Sequence, residues 1–122
     1  MARIRTIKPT FWSSATTARL SRDARLLAIG LISMADDDGR FLASANAING
    51  YVFPNDDLPP TKVKRWFKEL VDSGMIHEYQ REGVSYGCFP EWHAHQVINR
   101  YTHSVLPEPD VQCVPRRKGA KA

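Results

Sequence analysis

The sequence predicts a single α+β domain in which three helices precede a two-stranded β-hairpin. The chain has 122 residues, which is the size of one domain, and 43% of them are hydrophobic, as in a globular protein. Helical apolar patterns occupy the first part of the chain. Two short strand-like segments around a glycine turn follow them, which indicates a hairpin after the helices.

The first helix is predicted over residues 22–35. Ser21 is suited to be its N-cap, and Asp23 adds an acid to its first turn. Its apolar residues cover nearly every side of a helical wheel, which is typical of a buried helix. The run Asp36-Asp37-Asp38-Gly39 ends it, and we interpret the three acids as a solvated stop signal rather than a cation site.

The remaining elements are shorter and are separated by turn residues. The order of helix, short strand, two helices and hairpin is the layout of a winged helix, with a helix-turn-helix in the second and third helices and the hairpin as its wing. The predicted elements are a strand over 40–42, a helix over 45–51 capped by Ser44, a helix from Pro60 to Ser73, and strands over 75–80 and 84–89 around the turn Arg81-Glu82-Gly83.

The predicted domain boundaries are 1–20 for an N-terminal arm, 21–106 for the winged-helix domain and 107–122 for a flexible basic tail. The arm is expected to be extended and to be anchored by Phe11 and Trp12. The first and third helices are expected to share one core, formed by Leu26, Leu27, Ile29, Val63, Phe67 and Leu70.

Positive charge is concentrated in three places. The chain has a net charge of +4, yet the body between Pro9 and Pro115 carries 10 basic and 13 acidic residues. The excess lies at the two ends and in the third helix. A concentration of this kind indicates a polyanionic partner, and double-stranded DNA is the partner that we predict.

The third helix is the strongest candidate for contact with DNA. Its apolar side would fix it to the core, while its basic side would meet phosphates, with Arg65 also able to read guanine. The alternative is an ordinary solvated charged face. The predicted contacts on this helix are Thr61, Lys62, Lys64, Arg65 and Lys68.

The chain ends and the hairpin supply secondary candidates. Arg3 and Arg5 in the arm, and Arg116 and Arg117 in the tail, are predicted to contact phosphate or the minor groove, with solubilising ends as the alternative. The flexible tail would add affinity that does not depend on sequence. Arg81 is a further candidate, although its neighbour Glu82 favours a hairpin that mainly closes the core.

The sequence predicts no catalytic site, cofactor or metal. It contains none of the common nucleophile, P-loop, zinc-protease or dinucleotide motifs. His93 and His95 lack the further ligands that structural zinc needs. Cys88 and Cys113 are interpreted as free thiols. We find no apolar run long enough to span a membrane and no signal peptide, so we expect a cytoplasmic protein.

Several short segments form an ordered pattern along the chain. They are Ile7-Lys8-Pro9-Thr10-Phe11-Trp12, Leu20-Ser21, Ala24-Arg25-Leu26-Leu27, Gly30-Leu31, Ala35-Asp36-Asp37-Asp38-Gly39-Arg40, Val52-Phe53-Pro54, Leu70 to Gly74, and His95-Gln96 with Ile98 and Arg100. In their order and spacing, these segments resemble the N-terminal winged-helix domains of bacteriophage and prophage replication-initiation proteins, and the resemblance covers about residues 4–106. It implies a phage or prophage origin, a bacterial host cell, and a helix-turn-helix role near a replication origin or promoter.

The resemblance leaves a second role open. The longer relatives carry a further domain for helicase loading, whereas this chain continues into a short tail. In some relatives the domain acts as a scaffold for oligomerisation. The alternative is therefore a protein-interaction module that binds itself or a host or phage replication protein.

Overall fold

The computed structural model describes residues 3–109, which form an α+β fold with six helices and one three-stranded antiparallel sheet. The α+β class predicted from the sequence is therefore confirmed. In chain order the elements are α1 (Thr10–Ser13), α2 (Ala15–Ala18), α3 (Arg22–Met34), β1 (Arg40–Leu42), α4 (Ala45–Val52), α5 (Pro60–Asp72), β2 (His77–Arg81), β3 (Val84–Cys88) and α6 (Trp92–His95).

The helices begin where the sequence places their caps. The side chain of Ser21 accepts a hydrogen bond from the Ala24 backbone N–H, and Ser44 does the same for Ala47. These bonds satisfy amide groups that have no partner inside the helix. Pro60 occupies the first position of α5, where its missing N–H costs nothing.

The sheet has the strand order β1-β3-β2, so the last strand lies between the other two. Glu82 and Gly83 have φ values of +53° and +78°, which give β2 and β3 a two-residue connection. The prediction that Arg81 belongs to the turn is therefore wrong. It closes β2 opposite Val84, because the tight turn needs only the two residues with positive φ.

The three long helices share one hydrophobic core with the sheet. On α3 the buried stripe is Ala24, Leu27, Ala28 and Leu31, which is the helical spacing of a single face. Leu27, Val63, Phe67 and Leu70 lie in the core as predicted. The prediction that Leu26 lies in this core is wrong, because its side chain is 52% exposed. Ile29 is only partly buried, since both residues lie off the buried stripe.

The three aspartates after α3 are not a solvated stop signal. Asp37 is only 4% exposed. The Asp36 carboxylate accepts the backbone N–H groups of Asp38 and Arg40 at 2.9 and 3.0 Å, which fixes the turn. We call residues 36–39 the aspartate turn. Both the beginning of the chain and residues 101–104 are bonded to it, so a run that looks like a surface feature in sequence is an internal connection.

The predicted extended arm contains α1 and α2. Thr17 and Leu20 are buried, and Phe11 packs against the core. Trp12, in contrast, is 59% exposed, so the prediction that it anchors the arm is wrong. Of the predicted tail only residues 107–109 are described, and the Tyr79 hydroxyl donates to the Pro107 carbonyl at 2.8 Å.

Cys88 is fully buried and disulfide-bonded, which corrects the prediction of a free thiol. Cys113, the other predicted free thiol, lies outside the described residues. The prediction rested on the rarity of disulfides in cytosolic proteins, which is a general trend and says nothing about the geometry of this chain. No helix within the described residues is long and apolar enough to cross a membrane.

Candidate nucleic-acid interface

The rotation of α5 about its own axis is fixed by one buried stripe. Val63, Trp66, Phe67 and Leu70 are all buried on this helix. Trp66 packs against Phe53 with ring centroids 5.5 Å apart, and Phe67 contacts the ring of Phe41 edge-to-face at 6.2 Å. Aromatic packing of this kind is specific in geometry. The face of α5 that meets solvent is therefore determined by the core.

That outer face carries every contact predicted for the third helix. Lys64 and Arg65 have no ion pair within residues 3–109, and no acidic residue precedes Glu69 on the helix. The structure thus brings the predicted residues of this helix together on one exposed surface, which we call the α5 basic face. It consists of Thr61, Lys62, Lys64, Arg65 and Lys68, all of them exposed.

The two acids at the end of α5 have different partners. The Glu69 carboxylate accepts the backbone N–H of Ser21 at 2.9 Å and its hydroxyl at 2.7 Å, which joins α5 to the start of α3. Asp72 pairs with Lys68 at 2.7 Å, with side chains 61% and 74% exposed. An exposed pair of this type contributes little to stability. Lys68 therefore remains able to exchange Asp72 for another anion.

Arg81 lies on the hairpin, with its guanidinium over the Tyr79 ring at 5.4 Å, and donates to the Gln80 carbonyl. Burial raises the pKa of Tyr79 to about 12, so its phenol is neutral at physiological pH. The residue after Arg81 is an exposed glutamate. The hairpin thus presents one restrained cation beside an acid, which is a weaker anion-binding surface than α5.

The two arginines predicted in the arm are bound within the protein. Arg5 has a side chain only 5% exposed, forms an ion pair with Asp37 at 3.0 Å and lies over the Trp92 ring at 5.0 Å. Arg3, which is 35% exposed, pairs with the other Asp37 oxygen at 3.1 Å. It also donates to the Arg100 carbonyl at 2.9 Å. We therefore exclude Arg5 from the candidate surface, because binding DNA would require breaking a buried pair.

Residues that the sequence reasoning missed complete this internal site. The Thr102 backbone N–H donates to Asp37 at 2.9 Å. Asp38 accepts the Tyr101 hydroxyl at 2.5 Å and the Ser104 backbone N–H at 2.9 Å. Burial alone would raise the pKa of Asp38, but these hydrogen bonds and the charge of Arg40 outweigh it, so the pKa is lowered. The sequence signal that could have predicted these ion pairs was the run of three consecutive aspartates in a chain whose N-terminus contains two arginines.

The remaining candidates are placed as follows. Arg116 and Arg117 lie outside the described residues. His93 is buried, with its Nε2 atom 3.5 Å from Asp38, whereas His95 is exposed. Within residues 3–109 no group of three or more histidine, cysteine or acidic side chains is arranged to hold a metal ion.

Comparison with known proteins adds no relative to this description. The chain matches no protein-family model, no curated protein and no solved structure.

Proposed function

We propose that this chain is a non-enzymatic winged-helix DNA-binding protein of phage type, which contacts duplex DNA through α5. The proposed process is replication initiation or its regulation. The sequence resemblance to phage initiator domains supports the process, whereas the geometry of α5 supports the contact. The proposed binding surface is the α5 basic face, with Arg3, Arg81, Arg116 and Arg117 as additional contacts from the N-terminus, the hairpin and the tail.

The element order supports the winged-helix part of the proposal. Helices α3, α4 and α5 pack against one another in pairs. The connection between α4 and α5, residues 53–59, contains no helix or strand. Strand β1 joins the β2–β3 hairpin on the β3 side. In a winged helix α4 and α5 would be the helix-turn-helix and the hairpin would be the wing.

The single observation that carries the DNA contact is the division of α5 into two faces. Its aromatic and aliphatic side is locked into the core, so no rotation can bury the cations. Lys64 and Arg65 have no ion pair in the described part of the chain, so both exposed cations are available to neutralise the phosphates of a polyanion. An Arg side chain can in addition contact guanine with two hydrogen bonds.

The salt dependence of binding tests this proposal. We would measure the affinity of the full chain for a random duplex at several salt concentrations, in the wild type and in Lys64→Gln/Arg65→Gln. Each lost phosphate contact should lower the log–log salt slope by about 0.9. The matched control is Arg19→Gln/Arg22→Gln, which removes the same charge from exposed positions outside α5 and should leave most of the slope.

Equal slopes for the two double variants would contradict the assignment of α5 as the contact. No binding of the wild type to any duplex at low salt would contradict DNA binding itself.

A second candidate function is a protein-interaction module for a replication protein. It is favoured by exposed apolar side chains outside α5. Leu26 is 52% exposed and Ile4 fully exposed. Ile4 also lines a groove that it shares with Ile29 and Ile32 of α3. Exposed apolar surface of this kind commonly marks contact with another protein. Failure to bind DNA together with retention of the fold would favour this role.

A further inference from the structure

The outward side of α3 carries apolar side chains that the core does not use. The buried stripe of this helix faces α4 and α5, with which it packs. On the opposite side lie Leu26, whose side chain is 52% exposed, and Ile29, which is partly exposed one turn further along. This outward side therefore points away from α5 and from its basic face.

The N-terminal residues extend this apolar surface. Ile4 is fully exposed, although its neighbours Arg3 and Arg5 are both held by Asp37. Alternate side chains of an extended segment point in opposite directions, so the two ion pairs direct Ile4 outward. It lines a groove together with Ile29. An apolar side chain held in this way is already ordered before it binds, which lowers the entropic cost of burying it.

The end of α4 completes the surface near the end of α3. The Tyr51 hydroxyl donates to the Ser33 carbonyl at 3.2 Å, and the Tyr51 side chain remains 39% exposed. We call Ile4, Leu26, Ile29 and Tyr51 the α3 apolar patch.

The charges at the two ends of the α3 apolar patch have opposite signs. At the beginning of α3 lie Arg19 and Arg22, both exposed. Beyond the end of α4 lie Asp56 and Asp57, also exposed, and the Asp56 backbone N–H donates to the Phe53 carbonyl at 3.2 Å, which keeps this connection close to the end of α4. Within residues 3–109 none of these four side chains has an ion pair.

Such a surface is complementary to a copy of itself. A two-fold axis near Ile29 would place two α3 helices side by side and antiparallel, so that the same residues of each copy meet. The apolar residues would then be buried at the centre, and the arginine end of each copy would meet the aspartate end of the other. We propose that the α3 apolar patch is an interface with a second copy of this chain, in this antiparallel arrangement.

The proposed interface is separate from the proposed contact with DNA. The patch lies on the side of α3 opposite to α5, so the α5 basic face of each copy stays accessible in the pair. Pairing therefore does not require that α5 binds DNA. Charge complementarity fixes the antiparallel direction, because a parallel pair would place the arginines of the two copies together.

Sedimentation equilibrium of the full chain tests the apolar part of the interface. We expect the mass to rise from 13.8 kDa toward twice that value as the chain concentration is raised to about 1 mM. Leu26→Ala removes buried apolar surface from both copies and should raise the Kd of the pair at least about tenfold. The control is Val105→Ala, at a residue that is 96% exposed and outside the patch, and it should leave the Kd unchanged.

A charge exchange tests the arrangement of the two copies. Arg19→Glu/Arg22→Glu makes both ends of the patch acidic, and Asp56→Lys/Asp57→Lys makes both ends basic. Each variant alone should sediment as a single copy, since like charges would face one another. An equimolar mixture should form a mixed pair, because every end then meets an opposite charge. Formation of the mixed pair also shows that both variants are folded.

Four results would overturn the proposal. They are a single-copy mass for the wild type at all concentrations, an unchanged Kd in Leu26→Ala, pairing of either charge variant alone with the affinity of the wild type, and a mixture of the two charge variants that stays unpaired.

Discussion

The N-terminal arginines and the cations of α5 carry the same signal in the sequence and have opposite roles in the structure. Arg3 and Arg5 both pair with Asp37, at 3.1 and 3.0 Å. On α5, in contrast, Lys64 and Arg65 are exposed and form no ion pair within residues 3–109. The difference teaches that clustered positive charge indicates a polyanion only where no distant acid of the same chain reaches it.

The physical basis of the difference is burial. The Arg5 and Asp37 side chains are 5% and 4% exposed, and a charge withdrawn from water to that extent needs a counter-charge. The cations of α5 remain hydrated and need none. An arginine of the first kind stabilises the fold, whereas one of the second kind is available to a ligand.

Asp37→Ala should give the largest effect. It leaves Arg5 buried without its counter-charge, and breaking a buried pair in this way costs about 3–5 kcal/mol. The free energy of unfolding, measured by urea denaturation, checks this expectation. The control is Asp57→Ala, which removes an exposed carboxylate and should change the free energy of unfolding by less than about 0.5 kcal/mol.

A loss of unfolding free energy of about 1 kcal/mol or less in Asp37→Ala, as for an exposed ion pair, would contradict the distinction drawn between Arg5 and the cations of α5. The aspartate turn would then be a surface feature, as the sequence alone suggested.

Arg65→Ala should give an intermediate effect, and on binding rather than on folding. Once a preferred site has been selected from random duplexes, the variant should lose about 1–3 kcal/mol of discrimination between that site and random DNA. Its free energy of unfolding should change little, because the side chain is exposed. Arg81→Ala is the control, since it should leave site discrimination largely intact. Equal loss of discrimination in both variants would move base reading away from α5.

The smallest expected effect is on the stability of the fold at acidic pH, and it involves Asp38. The pKa of Asp38 is lowered below its usual 3.8, so its ionised form stabilises the folded state. This contribution is present above the unfolded pKa near 3.8 and is lost as the pH falls through the lower folded value. Asp38→Asn should therefore show a shallower loss of unfolding free energy than the wild type below pH 3.8.

An unchanged acid slope in Asp38→Asn would show that the hydrogen bonds from Tyr101 and Ser104 do not distinguish the two protonation states of Asp38.

Local sequence signals located most of the elements. Ser21 and Ser44 mark the starts of α3 and α4, and Pro60 opens α5 at the residue predicted. These signals work because a cap or a fixed φ acts on the nearest turn of the backbone. The same reasoning failed for Leu26, since an apolar pattern around a whole helix does not say which sides the neighbouring elements cover.

The α5 basic face was predictable for a related reason. The helix has a single apolar stripe, so the position of that stripe determines where Lys64 and Arg65 lie. Their exposure was therefore a local property. What these cations bind is not local, and it stays a proposal.

The sequence by itself determined the α+β class, the principal helices and the exposed side of α5, because all of these follow from contacts between residues near one another in the chain. Only the tertiary structure decided the partners of Arg5, the burial of Asp37 and the disulfide-bonded state of Cys88. Arg5 and Asp37 are separated by 32 positions. No periodicity or propensity encodes such a pairing, since it exists only after the core has brought the two segments together.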